Sequence, residues 1–341
     1  MAAGVLFALV AGLLWGLVFV VPLLLPGVSP ALLSAGRYLA FGLIALPLAW
    51  LDRARLAELS RADWIEALRL ALIGNLIYYL LLSAAIQSAG APLPTMIIGS
   101  LPVVIAIVAN LRAGRHAGAP LAERLPWRAL APSLLLIAAG VLLVHQAEFA
   151  SGPAASSAPA SAQAGTAAWG TLLALGAVAC WTWYPLRNAE WLRAHPGRRP
   201  ATWATAQGLA TLPLAALALL GIALVAAWRG QPLTAAHLGA EVGTVPWRFL
   251  LLMLATGLLA SWLGTVCWNE ASQRLPASLA GQLIVFETLA ALAYAYALRD
   301  AWPAPAAALG VATLVAGVIL GVRRGQVAGL KAGPAPASDA R

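Results

Sequence analysis

The sequence predicts an all-α polytopic membrane protein, with ten transmembrane helices arranged as two inverted five-helix repeats. Three observations carry that prediction: a composition too apolar for water, apolar blocks of membrane-crossing length, and a second half that echoes the first. Hydrophobic residues fill 62% of the 341 positions and charged residues only 10%, against roughly 25% charged in a soluble domain. So few charges cannot build a water-facing surface. The apolar stretches recur in blocks of about 20 residues, enough to cross about 30 Å of hydrocarbon at about 1.5 Å per residue.

In chain order the blocks cover residues 3–24, 31–51, 65–87, 93–110 and 129–144, then 167–185, 202–228, 249–268, 276–297 and 303–322. The first is too long for a signal peptide and lacks a basic start, so it reads as a retained helix. Residues 150–166 are mostly Ala, Ser, Gly and Pro with no large apolar side chain. Such a segment cannot bury a core and reads as a flexible outer linker between a first repeat at 1–149 and a second at 167–322. Residues 323–341 read as a disordered cytoplasmic tail.

The duplication is visible in register. At a spacing of 166, Leu6-Phe7-Ala8-Leu9 meets Leu172-Leu173-Ala174-Leu175, Trp15 meets Trp181, and Leu46-Pro47 meets Leu212-Pro213. After a longer loop the spacing becomes 186, and Asn75, Tyr79, Ser83 and Gln87 fall on Ser261, Thr265, Asn269 and Gln273. Five helices per copy is an odd number, so the second copy enters the membrane from the opposite side. Such inverted repeats place a binding site between the halves near mid-membrane.

The net charge of +9 is a matter of distribution rather than a nucleic-acid footprint. With the N-terminus inside, sixteen of the 21 basic residues fall in inner segments, among them Arg53, Arg61, Arg112, Arg187, Arg198 and Arg274. The outer loops hold only Arg229, Arg248 and Arg299, while Arg37 and Arg69 lie within helices. Positive charge gathers on the cytoplasmic side of a membrane protein, so both termini are expected there, with the lipid bilayer and no nucleic acid as surroundings. Cys180 and Cys267 fall inside helices without a motif partner and read as small buried hydrophobes.

The polar residues inside apolar blocks are the candidates for chemistry. Asn75, Tyr79 and Ser83 in one half, and Ser261, Thr265 and Asn269 in the other, repeat at i, i+4 and so share a helix face. Facing lipid they would leave donors and acceptors unpaired. They line a hydrated central cavity or form hydrogen bonds between helices. Glu287 is the sharpest signal, a lone carboxylate about halfway along the ninth block. At mid-membrane it has to be paired, protonated or hydrated, as a proton or substrate-amine partner or as a structural hydrogen-bonding group. Arg37, about two turns inside the second block, would neutralise Glu287, bind a carboxylate or snorkel to the interface. Trp15 and Trp181 lie deep enough for a cavity wall or for helix packing. Trp50, Trp64, Trp127, Trp203, Trp228, Trp247, Trp268 and Trp302 lie near block ends and read as interfacial anchors. No enzyme constellation, metal spacing or phosphate-cradling loop is present in the sequence, so neither an enzyme activity nor a cofactor is expected.

Leu14-Trp15-Gly16, Arg37, Ser83-Ala84-Ala85 leading to Leu101-Pro102-Val103, Ala277-Ser278-Leu279 followed by Glu287, and Ala316-Gly317-Val318 together resemble the EamA-domain branch of the drug/metabolite transporter superfamily. The resemblance spans about residues 4–322. It implies ten helices, both ends cytoplasmic, a place in a bacterial inner membrane, and export of small metabolites, often amino acids, through a cavity between the halves. The chain departs from the family pattern where Glu287 is followed by Thr288 rather than proline, which removes an expected backbone break. It also has Ala113-Gly114-Arg115 and Leu298-Arg299-Asp300 where the family often has Gly-Glu. The expectation is an alternating-access secondary transporter with a small-molecule substrate, with proton coupling and a homodimer left open. A flippase-like carrier of amphipathic substrates and a non-transporting scaffold or sensor are the alternatives.

Overall fold

With no water in the hydrocarbon layer, backbone N–H and C=O groups must be paired within their own segment, which leaves helix as the form for apolar blocks of this length. The computed structural model describes residues 1–25, 28–89, 97–115, 126–151, 160–230, 246–298, 300 and 302–331, and among these it contains helices and no strand. The helices are α1 (Ala2–Leu24), α2 (Pro30–Leu51), the short α3 (Arg53–Leu56), α4 (Arg61–Leu70), α5 (Tyr78–Ala89), α6 (Leu101–Arg115), α7 (Trp127–Ser151), α8 (Ala160–Ala194), α9 (Pro200–Trp228), α10 (Pro246–Thr256), α11 (Gly264–Arg274), α12 (Ala277–Leu283), α13 (Val285–Leu298) and α14 (Pro305–Lys331).

Seven stretches of the described residues are long and apolar enough to cross a membrane: Ala2–Val21, Ala31–Leu51, Arg61–Leu82, Pro200–Trp228, Trp247–Arg274, Leu279–Leu298 and Pro305–Arg324. Two shorter apolar helices, Leu101–Arg112 and Leu130–Val144, cover parts of the blocks at 93–110 and 129–144, and the block at 167–185 lies within α8. Leu217, Leu220 and Leu224 of α9 are all more than half exposed, a surface that water would not tolerate and lipid would.

Helix starts follow local chemistry. The Ser29 hydroxyl accepts from the Leu32 N–H at 3.3 Å, with Pro30 opening α2, and Ser60 and Asp63 form a reciprocal capping box on α4. Two features interrupt the α-helical ladder. Ala71–Ile77 joins α4 to α5 as a π-helix, and Gly257–Leu263 joins α10 to α11 in the same form. The two segments are 186 positions apart, the spacing that aligns Asn75 with Ser261.

The most extensive helix pairings are α7 with α14, α2 with α9, α5 with α8, α1 with α13 and α11, and α6 with α12. Each joins a helix from before the 152–159 segment to one after it, so the halves interleave rather than sit side by side. Small residues permit the closest approaches. A Cβ added to Gly140 on α7 would lie 2.7 Å from the backbone nitrogen of Leu314 on α14.

The structure differs from the sequence reading in four places. Trp203 and Trp268 are not interfacial anchors but are nearly or fully buried, because Trp203 stacks on Trp191 with centroids 3.5 Å apart and Trp268 packs against Trp15. The expected linker is narrower, since α7 runs to Ser151 and α8 starts at Ala160; residues 152–159 lie outside the described residues. At the other end α14 continues to Lys331, because no proline after Pro305 interrupts it before Pro334; residues 332–341 also lie outside the description. Finally, the ninth block is not one helix. It breaks at Ile284, between α12 and α13, although no proline stands there.

Candidate functional site

The break at Ile284 sets the position of Glu287. The backbone N–H of Glu287 donates to the Ile284 carbonyl at 3.0 Å, a bond to the third residue back, and α13 starts afresh with Glu287 in its first turn. A carboxylate there faces the positive end of the helix dipole. Helix α1 crosses at this point on small residues. A Cβ on Gly12 would lie 3.0 Å from the Glu287 nitrogen, and one on Gly16 would lie 2.7 Å from the Ala290 Cβ. The Glu287 side chain is half-buried.

Arg37 projects from α2 into the same region. Its Nε donates to the Ser261 hydroxyl at 3.0 Å, joining residues 224 positions apart, and its guanidinium carbon lies 5.1 Å from the Tyr38 ring centroid. Ser261 lies inside the second π segment, so a turn of unusual geometry presents the acceptor. Among the described residues Arg37 and Glu287 make no direct ion pair. Tyr79 meets Tyr38 edge-on, with centroids 6.5 Å apart. Arg37, Ser261, Tyr38 and Tyr79 therefore form one chain of contacts between the halves.

An aromatic stack borders it. Trp15 meets Trp181 edge-on at 5.6 Å and Trp268 at 5.3 Å, while Trp181 stacks on Tyr78 at 4.7 Å and on Tyr184 at 5.1 Å. The two tryptophans matched by the 166 spacing are thus in contact.

The remaining stripe residues are placed differently. Asn75 donates to Thr211 Oγ1 of α9 at 3.4 Å. Asn269 is fully buried: its Oδ1 accepts from Asn188 Nδ2 at 2.8 Å, and its Nδ2 donates to the Pro200 carbonyl at 3.2 Å. Asn188 Oδ1 accepts in turn from Trp203 Nε1 at 2.8 Å and Gln207 Nε2 at 3.0 Å, and Gln207 Oε1 accepts from the Tyr184 hydroxyl at 2.9 Å. Thr265 is buried nearby. Ser83 lies on α5, but its side chain is outside the described residues. The structure links Arg37 to Ser261 and, through Tyr38, to Tyr79, and leaves Asn75 and Asn269 bonding helix to helix.

Sequence reading missed Tyr38 and the Asn188–Gln207–Tyr184 network. The signal was present in part, since Gln207 is a lone amide within the apolar block at 202–228. A cavity of about 330 Å³ opens between α2, the first π segment with α5, and α9, lined by Ser34, Leu76, Leu80, Gly221 and Val225 among others.

The all-helical bundle with apolar helices of membrane-crossing length agrees with what the chain is similar to. Residues 2–145 match the EamA-like transporter family. The chain belongs to that family. It is 48% identical over 324 residues to the inner membrane protein YtfF of Escherichia coli (strain K12), covering 95% of this chain and 96% of that one. A solved crystal structure of a protein that is 20% identical matches the fold with a TM-score of 0.68, over 94% of this chain and 98% of the other.

Proposed function

We propose that the protein is an alternating-access secondary transporter that exports small polar metabolites such as amino acids or their analogues, with inward proton movement as the driving reaction. In this reading ten transmembrane helices form two inverted five-helix repeats in a bacterial inner membrane, with the arginine-rich end and both termini in the cytoplasm. Family membership supports the transporter class. The observation that carries the rest is the Arg37–Ser261 hydrogen bond between the halves, together with a lone carboxylate, Glu287, in the first turn of α13. A cation and a carboxylate held apart without an ion pair leave each free for an opposite charge, so a zwitterion is bound at both ends. A carboxylate that alternately releases substrate amine and takes up a proton couples the two fluxes. Tyr79 and the Trp15–Trp181 stack form the wall; Asn75, Ser83, Thr265 and Asn269 border the path. The test compares metabolites released by cells producing the native chain or Glu287→Gln at matched membrane levels. Release that is lost in the variant supports the role; release unchanged across external pH sinks it.

A second reading is favoured by the 330 Å³ cavity, whose lining is mostly apolar. It suits a flippase-like carrier of amphipathic or lipid-linked substrates, and enrichment of lipids rather than polar metabolites outside the producing cells would select it.

A further inference from the structure

We infer that a single water molecule is bound inside the bundle where α6, α8, α11 and α12 meet, held by the Trp268 indole and the Ser272 hydroxyl. A buried polar group without a partner is expensive, so such groups are few and each has a cause. Among the described residues four buried side-chain atoms lack a partner: Thr182 Oγ1, Trp268 Nε1, Ser272 Oγ and Gln282 Nε2. The Gln282 amide is engaged at its other end, where Oε1 accepts from the Ser133 hydroxyl at 3.1 Å. The other three gather around one cavity.

Trp268 and Ser272 are each only 2% exposed, and their i, i+4 spacing sets them on one face of α11. Both line a small cavity whose other walls include Ile105 of α6, Pro185 and Ala189 of α8 and Gly281 of α12. On α8, Thr182 lies three residues before Pro185 and seven before Ala189, so it belongs to the face that borders this cavity.

Ser272 also departs from the habit of the molecule. A hydroxyl inside a helix readily returns to the carbonyl four residues back, and Ser88, Thr205, Thr211, Thr256 and Thr313 all do so at 2.7–2.9 Å. Ser272 does not, although that carbonyl is one turn away. Pro185 adds a further group. It lies inside α8 and has no N–H, so the Trp181 carbonyl one turn earlier loses its helical donor.

Size and chemistry select the occupant. The cavity holds about 10 Å³, close to the ~10–15 Å³ that one water needs and too little for a metabolite. An indole N–H only donates, which argues against a metal cation. Among the described residues the lining carries no charged side chain to neutralise an anion. A water accepts from Trp268 Nε1, bonds the Ser272 hydroxyl, and has a proton left for the carbonyl that Pro185 frees. Three partners are what a buried water typically has. Bound there, it ties α11 to α8 and fixes the Trp268 ring where it packs on Trp15. The assignment does not depend on what the protein carries.

Two measurements test it. In lipid-reconstituted protein with ¹⁵N-labelled tryptophan, magnetisation transfer from water to the indole N–H groups is recorded, and Trp268→Phe identifies the Trp268 signal by its loss. A water cross-peak at that signal supports the site, and none in the folded native chain overturns it. The second measurement does not require Trp268→Phe to fold. Ser272→Ala deletes a hydroxyl and installs a better helix former, so in a dry cavity it should raise the melting temperature. With water bound it removes one of the water's partners, and the melting temperature should fall by about 2 °C or more. An unchanged or raised value overturns the inference.

Discussion

Arg37 is held by a single bond to Ser261 Oγ and by the Tyr38 ring, so its charge is positioned without being neutralised. A lysine would keep the charge but lose the planar Nε donor. Arg37→Lys should therefore cut transport by about tenfold or more, a loss of about 1.4 kcal/mol in transition-state or binding free energy, whereas Ser261→Ala should cost only a few-fold. Transport by purified protein in vesicles checks both, and equal effects would mean that Ser261, not the guanidinium geometry, is what matters. Asn188 gives a contrasting case, in which stability rather than transport is at stake. Asn188→Leu would strip partners from Trp203 Nε1, Gln207 Nε2 and Asn269 Oδ1, and each orphaned buried group costs about 1–3 kcal/mol. The expected result is a much lower melting temperature in detergent than for Asn75→Leu, which breaks one long bond. Glu287 and Arg37 were legible in the sequence because a lone charge in an apolar block is expensive wherever it points. Their neighbours were not, because Ser261 is brought to Arg37 by the packing of α2 on the second π segment, and no local pattern encodes that.

At the scale of elements, the apolar blocks predicted helices but not their interruptions. A continuous 3.6-residue pattern and a pattern with one π turn look alike over a span of this length, so both π segments passed as α-helix. The i, i+4 stripe contained a hint. Four residues overshoot an α-helical turn of 3.6 but fall short of a π turn, whose bonds run from i to i+5. Alternating the two forms cancels the drift of the stripe around the axis. Deleting Ile73 should leave the far-ultraviolet helical signal nearly unchanged while abolishing transport, because the residues beyond it turn by about 100°. The break at Ile284 was masked by the absence of proline, which is one cause of an interrupted helix and not the only one. Close contact of α1 with this break gives a further prediction. Gly12→Leu should prevent accumulation of folded protein, since its side chain meets the Phe286–Glu287 backbone, while Gly221→Leu projects into open space and should leave the melting temperature within about 2 °C.

For the whole molecule, composition and block length made the membrane class legible, and the two spacings pointed to the paired π segments, which lie 186 positions apart. The interleaving of the halves was not legible, because it depends on which faces of similar apolar helices fit together. Orientation can be measured directly. In intact cells an impermeant maleimide should label Trp228→Cys from outside, and Arg53→Cys only after lysis. The opposite pattern would invert the proposed topology.

Each π segment amounts to one spare residue wound into a membrane helix, at matched positions in both halves. A helix that carries such slack can be re-phased without being lengthened, bent or unpaired from its own backbone. Asn75 sits in one of these turns and bonds Thr211, and Ser261 sits in the other and bonds Arg37, so both polar contacts between the halves are made from the stretch of helix that holds the spare residue.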